Sequence, residues 1–241
     1  MRASIILPTY CSAPDVEPKL RRCLKLLAAH TNWTDKELIV VEQGELAAAK
    51  WLGTFQYQFN AAKVKIKYIH EAQPIGFAKA VNTGVEASSG DYLLIVNNDI
   101  DVSRNWADRL IKAYEHQPKA GLLFPACTDP KDAIETIEYP HSWWSCVCIA
   151  RRVWDDVGKL DAEKLNYRMH DQDWSIRAFN KGYIVGCYRG VTVVHDDSST
   201  YRHMTVNEVP ERSEMIRRWG FEHFCDYIDN KHIHAEQIAV R

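Results

Sequence analysis

The chain is 241 residues long, with 46% hydrophobic residues, 26% charged residues and a formal net charge of -2. This describes one large or two small globular domains with ample core, and excludes a protein that coats nucleic acid by charge alone, though a local basic face stays open. The seven cysteines are an odd number with no Cys-x-x-Cys pair, which argues against a zinc or disulfide framework and for buried thiols in a reducing compartment.

Met1-Arg2-Ala3-Ser4 leads at once into a strand, leaving no room for a signal peptide. No apolar run approaches the roughly 20 residues that span a bilayer. The expected location is cytoplasmic, at most peripheral at the inner membrane. Ser4-Ile5-Ile6-Leu7 is a short apolar strand stopped by Pro8. Leu20, Cys23, Leu24, Leu27 and Ala28 recur at helical spacing. Leu38 to Val41 is a second buried strand, ending at Glu42-Gln43-Gly44, and Glu45 to Leu52 reads as a short helix. Val64, Ile66, Tyr68 and Ile69 make a third strand. Phe77 to Ser88 is expected as a helix with Ala80, Gly84 and Ala87 on one side, and Tyr92 to Val96 as the fourth strand. Ser103 is placed to cap a helix whose stripe is Trp106, Leu110, Ala113 and Tyr114. This alternation means a parallel sheet with helices on both faces.

From Gly121 the pattern changes. Leu122 to Phe124 is a strand, and the polar stretch from Thr128 to Glu138 reads as a mobile loop. Trp143 to Ile149 is strand-like and Arg152 to Val157 a short helix. Asp173 to Lys181 is a helix closed by Gly182. Tyr183 to Val194 holds one or two strands ending at His195, and Pro210 opens a final helix through about Tyr227. With no repeat, low-complexity tract or clear linker, a single domain is expected over 1–241.

Asn97-Asn98-Asp99-Ile100-Asp101 directly follows the apolar run Tyr92 to Val96. A buried strand here delivers carboxylates to its C-terminal end, where open α/β sheets bind ligands. Side chains two apart on extended backbone point the same way, so Asp99 and Asp101 can share a site. Such oxygen donors suit Mg²⁺ or Mn²⁺, ions that commonly hold phosphates. The bland alternative is that Asp99 only caps the next helix.

Five pieces occur in order: Pro8-Thr9-Tyr10, the acid Glu42, Ile75-Gly76 through Asn82, the Asp99 cluster, and Asp171 to Arg177. Together, from Ser4 to about Ser198, they resemble a family 2 glycosyltransferase of the GT-A fold, in the bacterial rhamnosyltransferase-like branch. The resemblance implies a Rossmann-like α/β fold with a mostly parallel central sheet. Residues 1–101 would form the nucleotide-binding half, 102–198 the acceptor and catalytic half, and 199–241 a C-terminal helical extension. It implies a nucleotide-diphosphate sugar donor bound by Pro8, Thr9, Tyr10, Glu42, Gly76, Lys79, Asn82 and Asn98. Glu42 stands where the family has Asp, which leaves uracil, thymine and guanine open. Asp99 and His195 are implied as ligands of Mn²⁺ or Mg²⁺, with Asp101 in support or capping a turn. The family's general base maps to Asp171, in a segment where His170 replaces Glu, and Asp173 is the alternative carboxylate or a helix N-cap. Trp143, Trp144 and Trp174 are candidates for a sugar or acceptor pocket, or for core.

The implied reaction is inverting, metal-dependent transfer of a hexosyl or deoxyhexosyl group to an acceptor hydroxyl, by default on a saccharide or glycoconjugate. Arg212, Arg217 and Arg218 near the last helix keep a modified base in nucleic acid as a lesser acceptor. A non-catalytic nucleotide-sugar-binding module is the rival from another class. Nothing in the sequence speaks to oligomeric state.

Overall fold

The computed structural model describes residues 2–11, 14–44, 47–54, 59–60, 63–127, 134–140, 142–195, 207 and 209–231, and the backbone of 236–239. Along the chain, β1 (Ala3–Tyr10), α1 (Val16–His30), β2 (Lys36–Gln43), α2 (Ala47–Thr54), β3 (Lys65–Glu71), α3 (Phe77–Ala87) and β4 (Tyr92–Val96) alternate. Then follow β5 (Ile100–Val102), α4 (Trp106–Glu115), β6 (Ala120–Ala126), β7 (Thr136–Tyr139), β8 (Cys146–Ala150) and α5 (Arg151–Val157). The rest is α6 (His170–Asn180), β9 (Ile184–His195), α7 (Val209–Trp219), α8 (Phe224–Asn230) and β10 (Glu236–Ala239).

The strands lie in the order β10-β7-β9-β6-β8-β4-β1-β2-β3, with β5 paired to β9 off this path. β3, β2, β1 and β4 are mutually parallel. Beyond β4 the sheet is mixed, since β8 runs antiparallel to both β4 and β6 while β6 and β9 are parallel. The near-continuous burial of β1 and β2 reflects helices on both faces, which is why their sequences read as apolar runs. α1 turns Val16, Leu20, Cys23, Leu24 and Leu27 into the core. α3 sits so close to β1 that a Cβ on Gly84 would come within 2.5 Å of Ile6.

The order of strand addition reverses at β1: β2 and β3 build outward on one side, and β4 returns to the other. That switch opens a crevice at the carboxyl ends of β1 and β4. β1 does not stop at Pro8 but runs to Tyr10 against β2. The Arg2 carbonyl accepts from Tyr92 of β4, so by alternation the Pro8 nitrogen also faces the β4 side, where pairing has already ended at Ile6. The missing N–H costs no ladder bond.

Several expectations are corrected. Ser103 does not cap α4; Asn105, in a left-handed conformation, precedes it, and the Ser103 hydroxyl is buried without a partner among the described residues. Residues 136–139, expected within a loop, form β7, while 128–133 lie outside the described residues, as does Glu45. The final helix is two helices broken at Gly220, whose φ is 81°, and the C-terminal segment ends as a strand, β10, on the main sheet. Cys127 and Cys225 are exposed, whereas the other five thiols are buried. Among the described residues, no helix is long and apolar enough to cross a membrane.

Candidate active site

A cavity of about 360 Å³ occupies the crevice. Its first wall comes from the turn after β4. Asn98 lies in this turn and donates from Nδ2 to Thr9 Oγ1 at 3.0 Å, tying the β4 and β1 ends together. Asp99 follows, and β5 then pairs antiparallel with β9 so that Ile100 lies opposite His195. This register sets His195 Nε2 3.2 Å from Asp99 Oδ1, with both side chains largely buried and lining the cavity. Asp101 is not part of this group. Asp99 sits in the turn rather than on the strand, so the alternation rule does not join the two acids, and Asp101 instead accepts from Arg22 Nε of α1 at 2.7 Å.

The Asp99–His195 pair fits a divalent ion. Adjacent ligands of an octahedral ion with bonds of about 2.1 Å are about 3 Å apart, close to the separation found here. The donor set, one carboxylate and one imidazole, suits Mn²⁺ or Mg²⁺ supplemented by diphosphate oxygens. Asn97, also on the cavity, has a buried Oδ1 without a partner among the described residues. Among the described residues, no three acidic, histidine or cysteine side chains are placed to hold a metal ion together, so an ion here would need ligand oxygens besides Asp99 and His195.

Pro8, Thr9 and Tyr10 line the second wall, as does Gly76. Glu42 does not. It is fully buried, accepting from the Ala48 and Ala49 amides at 2.5 and 3.2 Å and from the Tyr68 hydroxyl. It closes the N-terminus of α2, where a carboxylate complements the helix dipole. The next residue, Gln43, faces the cavity, its Oε1 accepting from the Ile75 and Gly76 amides at 2.8 and 2.9 Å. Neighbouring residues on a strand point to opposite faces, so the residue adjacent to the expected one occupies the site. The start of α3 is likewise taken by protein: Asn166 accepts from Ala78 and Lys79 and donates to the Ile75 carbonyl. Lys79 is exposed and off the cavity. Asn82 is tied in both directions to the Leu160 backbone, at 2.9 and 3.1 Å, and is also off it.

The third wall is the run Tyr167 to Gln172, at the start of α6. Met169, with φ 60°, precedes the helix, which begins at His170 rather than near Asp173. Asp171 faces the cavity and accepts from Gln172 Nε2 at 3.0 Å. Asp173 faces away, because two helical steps turn a side chain by about 200°. It is 0% exposed and is neither an N-cap nor part of the cavity. Its carboxylate accepts from Arg177 Nε (2.9 Å), Trp219 Nε1 (3.0 Å) and Arg218 Nη1 (3.2 Å). His170 is buried, stacked on Phe77 at 4.8 Å between centroids, with Nδ1 unpartnered among the described residues. Burial pushes its imidazole below the ordinary value, favouring the neutral form.

Trp143, 42% exposed, meets the His195 ring in a T-shaped contact, and Trp144 also reaches the cavity. Trp174 belongs to the core, donating to the Gly158 carbonyl. The C-terminal arginines are paired with acids: Arg212 with Glu222, Arg217 with Glu214, and Arg218 with Asp161, Asp173 and Glu214. Gln43, Tyr167, Arg168 and His223 line the cavity without having been expected there. For Gln43 the strand alternation was the available signal; for His223, which arrives from after α7, no local pattern existed.

The fold and family are shown by comparison with known proteins. Residues 4–209 match Glycosyl transferase family 2. A Sinorhizobium fredii protein, y4gI, is 23% identical over 97% of this chain and 29% of its own length. The O-antigen biosynthesis protein RfbC of Myxococcus xanthus is 24% identical over 87% of this chain and 18% of its own. The chain therefore spans under a third of those relatives. Among solved structures, the mannosyltransferase PcManGT of Pyrobaculum calidifontis, in complex with GDP-Man and Mn²⁺, superposes with a TM-score of 0.63 at 16% identity, over 96% of this chain and 64% of that one. S. aureus TarS in complex with UDP-GlcNAc gives 0.65 at 15% identity, over 89% and 64%. With the family match covering most of its length, the GT-A-like α/β chain belongs to glycosyl transferase family 2.

Proposed function

We propose that this chain transfers a hexosyl or deoxyhexosyl group from a nucleotide-diphosphate donor to a hydroxyl of a saccharide or glycoconjugate, inverting the anomeric carbon. The observation that carries the reading is that Asp171 and the Asp99–His195 pair, from separate elements, line one cavity beside Thr9 and Tyr10. The acceptor oxygen attacks the anomeric carbon while its proton passes to the Asp171 carboxylate. The bond from that carbon to the diphosphate oxygen breaks, its electron pair leaving with the nucleotide. One displacement from the face opposite the leaving group inverts the centre. A Mn²⁺ or Mg²⁺ ion held by Asp99 and His195 would supply positive charge beside the departing diphosphate. General-base assistance of this kind contributes about 10²–10⁴ in rate, or roughly 3–5 kcal/mol.

The donor class is supported by the family and by the GDP-Man and UDP-GlcNAc held by the two structural neighbours. The arginines on which a nucleic-acid acceptor would rest already carry acids, which favours the saccharide reading. The test incubates the purified chain with UDP-GlcNAc, GDP-mannose and TDP-rhamnose, with and without a saccharide panel, in Mn²⁺ or EDTA. Nucleotide release is followed, and product configuration read by NMR. Ion-dependent release with an inverted product is expected. Donor binding without any turnover would mark a binding module instead, and a retained configuration would remove Asp171 from the role of base.

A further inference from the structure

The helix that carries Asp171 packs on β6 and β9, but the run that forms the cavity wall precedes and opens it. Tyr167 and Arg168 lie in the loop before the left-handed Met169; the Asp171 carboxylate accepts from its own neighbour Gln172, and its backbone carbonyl accepts from the Ser175 hydroxyl one turn on, at 2.7 Å. The flanking residues are held from elsewhere. Both oxygens of Glu211, in the first turn of α7, accept from adjacent backbone amides, Tyr167 N–H at 3.0 Å and Arg168 N–H at 2.5 Å. Gln172 Oε1 accepts from the Phe224 amide at 2.8 Å. Asp173 accepts from Arg218 and Trp219. Thus residues 211–224 grip both sides of Asp171 while leaving its carboxylate in the cavity.

Glu211 is 8% exposed, and burial raises its carboxyl above the ordinary value. A buried acid is a poor choice for stability alone. Two parallel acceptors matched to two successive amides nonetheless fix a backbone segment in a way no apolar side chain can.

From this bidentate contact we infer that Glu211 is a positioning residue for transfer, and that the α7–α8 segment sets the placement of Asp171 by clamping the Tyr167–Arg168 backbone. The inference rests on the proposed role of Asp171. Glu211→Gln keeps one acceptor and turns an amide donor toward a backbone donor, so the clamp loosens while the helix keeps its size and polarity. Misplacement of a reacting group by about 1 Å costs on the order of 10²-fold in rate.

The test compares wild type, Glu211→Gln and, as a control on the same helix, Arg217→Ala, whose guanidinium pairs with Glu214 at the surface. The probes are Mn²⁺ with UDP-GlcNAc or GDP-mannose, whichever wild type turns over. Glu211→Gln should lower kcat by at least about tenfold with donor KM within about twofold. Hydrogen exchange should rise at residues 166–172 but not in β1 or β4, and Arg217→Ala should do neither. Unchanged kcat, or a parallel loss of kcat, donor affinity and melting temperature, overturns the assignment. If wild type turns over no donor, the proposed function fails, and hydrogen exchange alone still decides whether the clamp exists.

Discussion

Asp171 and Asp173 are chemically alike, yet the helix gives them different partners. Asp171 lines the cavity, so Asp171→Asn should lower kcat by about 10²–10⁴ while Mn²⁺ and UDP titrate as in wild type, measured by calorimetry beside turnover. Asp173 joins α6 to α7, and Asp173→Asn removes the charge facing Arg177 and Arg218. A fully buried pair loses roughly 3–5 kcal/mol when broken. Because those arginines are 23% and 20% exposed, a loss nearer about 2 kcal/mol is expected, seen in urea unfolding with the midpoint shifted and the m-value retained. Asp99, His195 and Asp171 were placed by the order of the motifs, and all three line one cavity. Glu42, Lys79 and Asn82 were misread, because a motif places a backbone position without saying whether α2, solvent or Leu160 takes the side chain.

At the level of elements, the turn into α3 depends on one glycine. Gly76 has φ 89°, and a Cβ there would lie 2.2 Å from the Asn166 amide. Gly76→Ala is expected to cost about 2 kcal/mol or more from backbone strain and displacement of Asn166. That corresponds to a fall of roughly 4–8 °C in melting temperature for a chain of this size, by calorimetry. A wild-type melting temperature would show that the turn relaxes. The strands of the parallel half were readable because burial on both faces leaves apolar runs. β7 was not. Thr136-Ile137-Glu138-Tyr139 buries only Ile137, and its pairing with β9 and β10 joins segments remote in sequence, which no local pattern reports.

For the molecule as a whole, His170 is one source of pH dependence between about pH 7 and 5. Burial holds its folded-state value below the usual 6.5, with Arg168 adding to this and Asp171 opposing it. The folded form then binds fewer protons than the unfolded one. The stability this contributes is present above about 6.5 and is lost as pH falls below it. Melting temperature should decline between about pH 7 and 5, and His170→Phe, which keeps the stack on Phe77, should flatten that decline. Equal slopes in both proteins would exclude His170 as a contributor. The overall architecture follows a similar division: the strand–helix rhythm announced the parallel half, while the antiparallel insertion of β8 between β4 and β6 depends on contacts that only the assembled sheet defines. The seating of β10 on β7 has a consequence for biosynthesis. On a ribosome adding about 5–20 residues per second, the outer edge of β7 waits some 5–20 s for a partner made about a hundred residues later. During that interval it is an open template for another nascent chain. The brevity of β7 is a feature that disfavours such pairing.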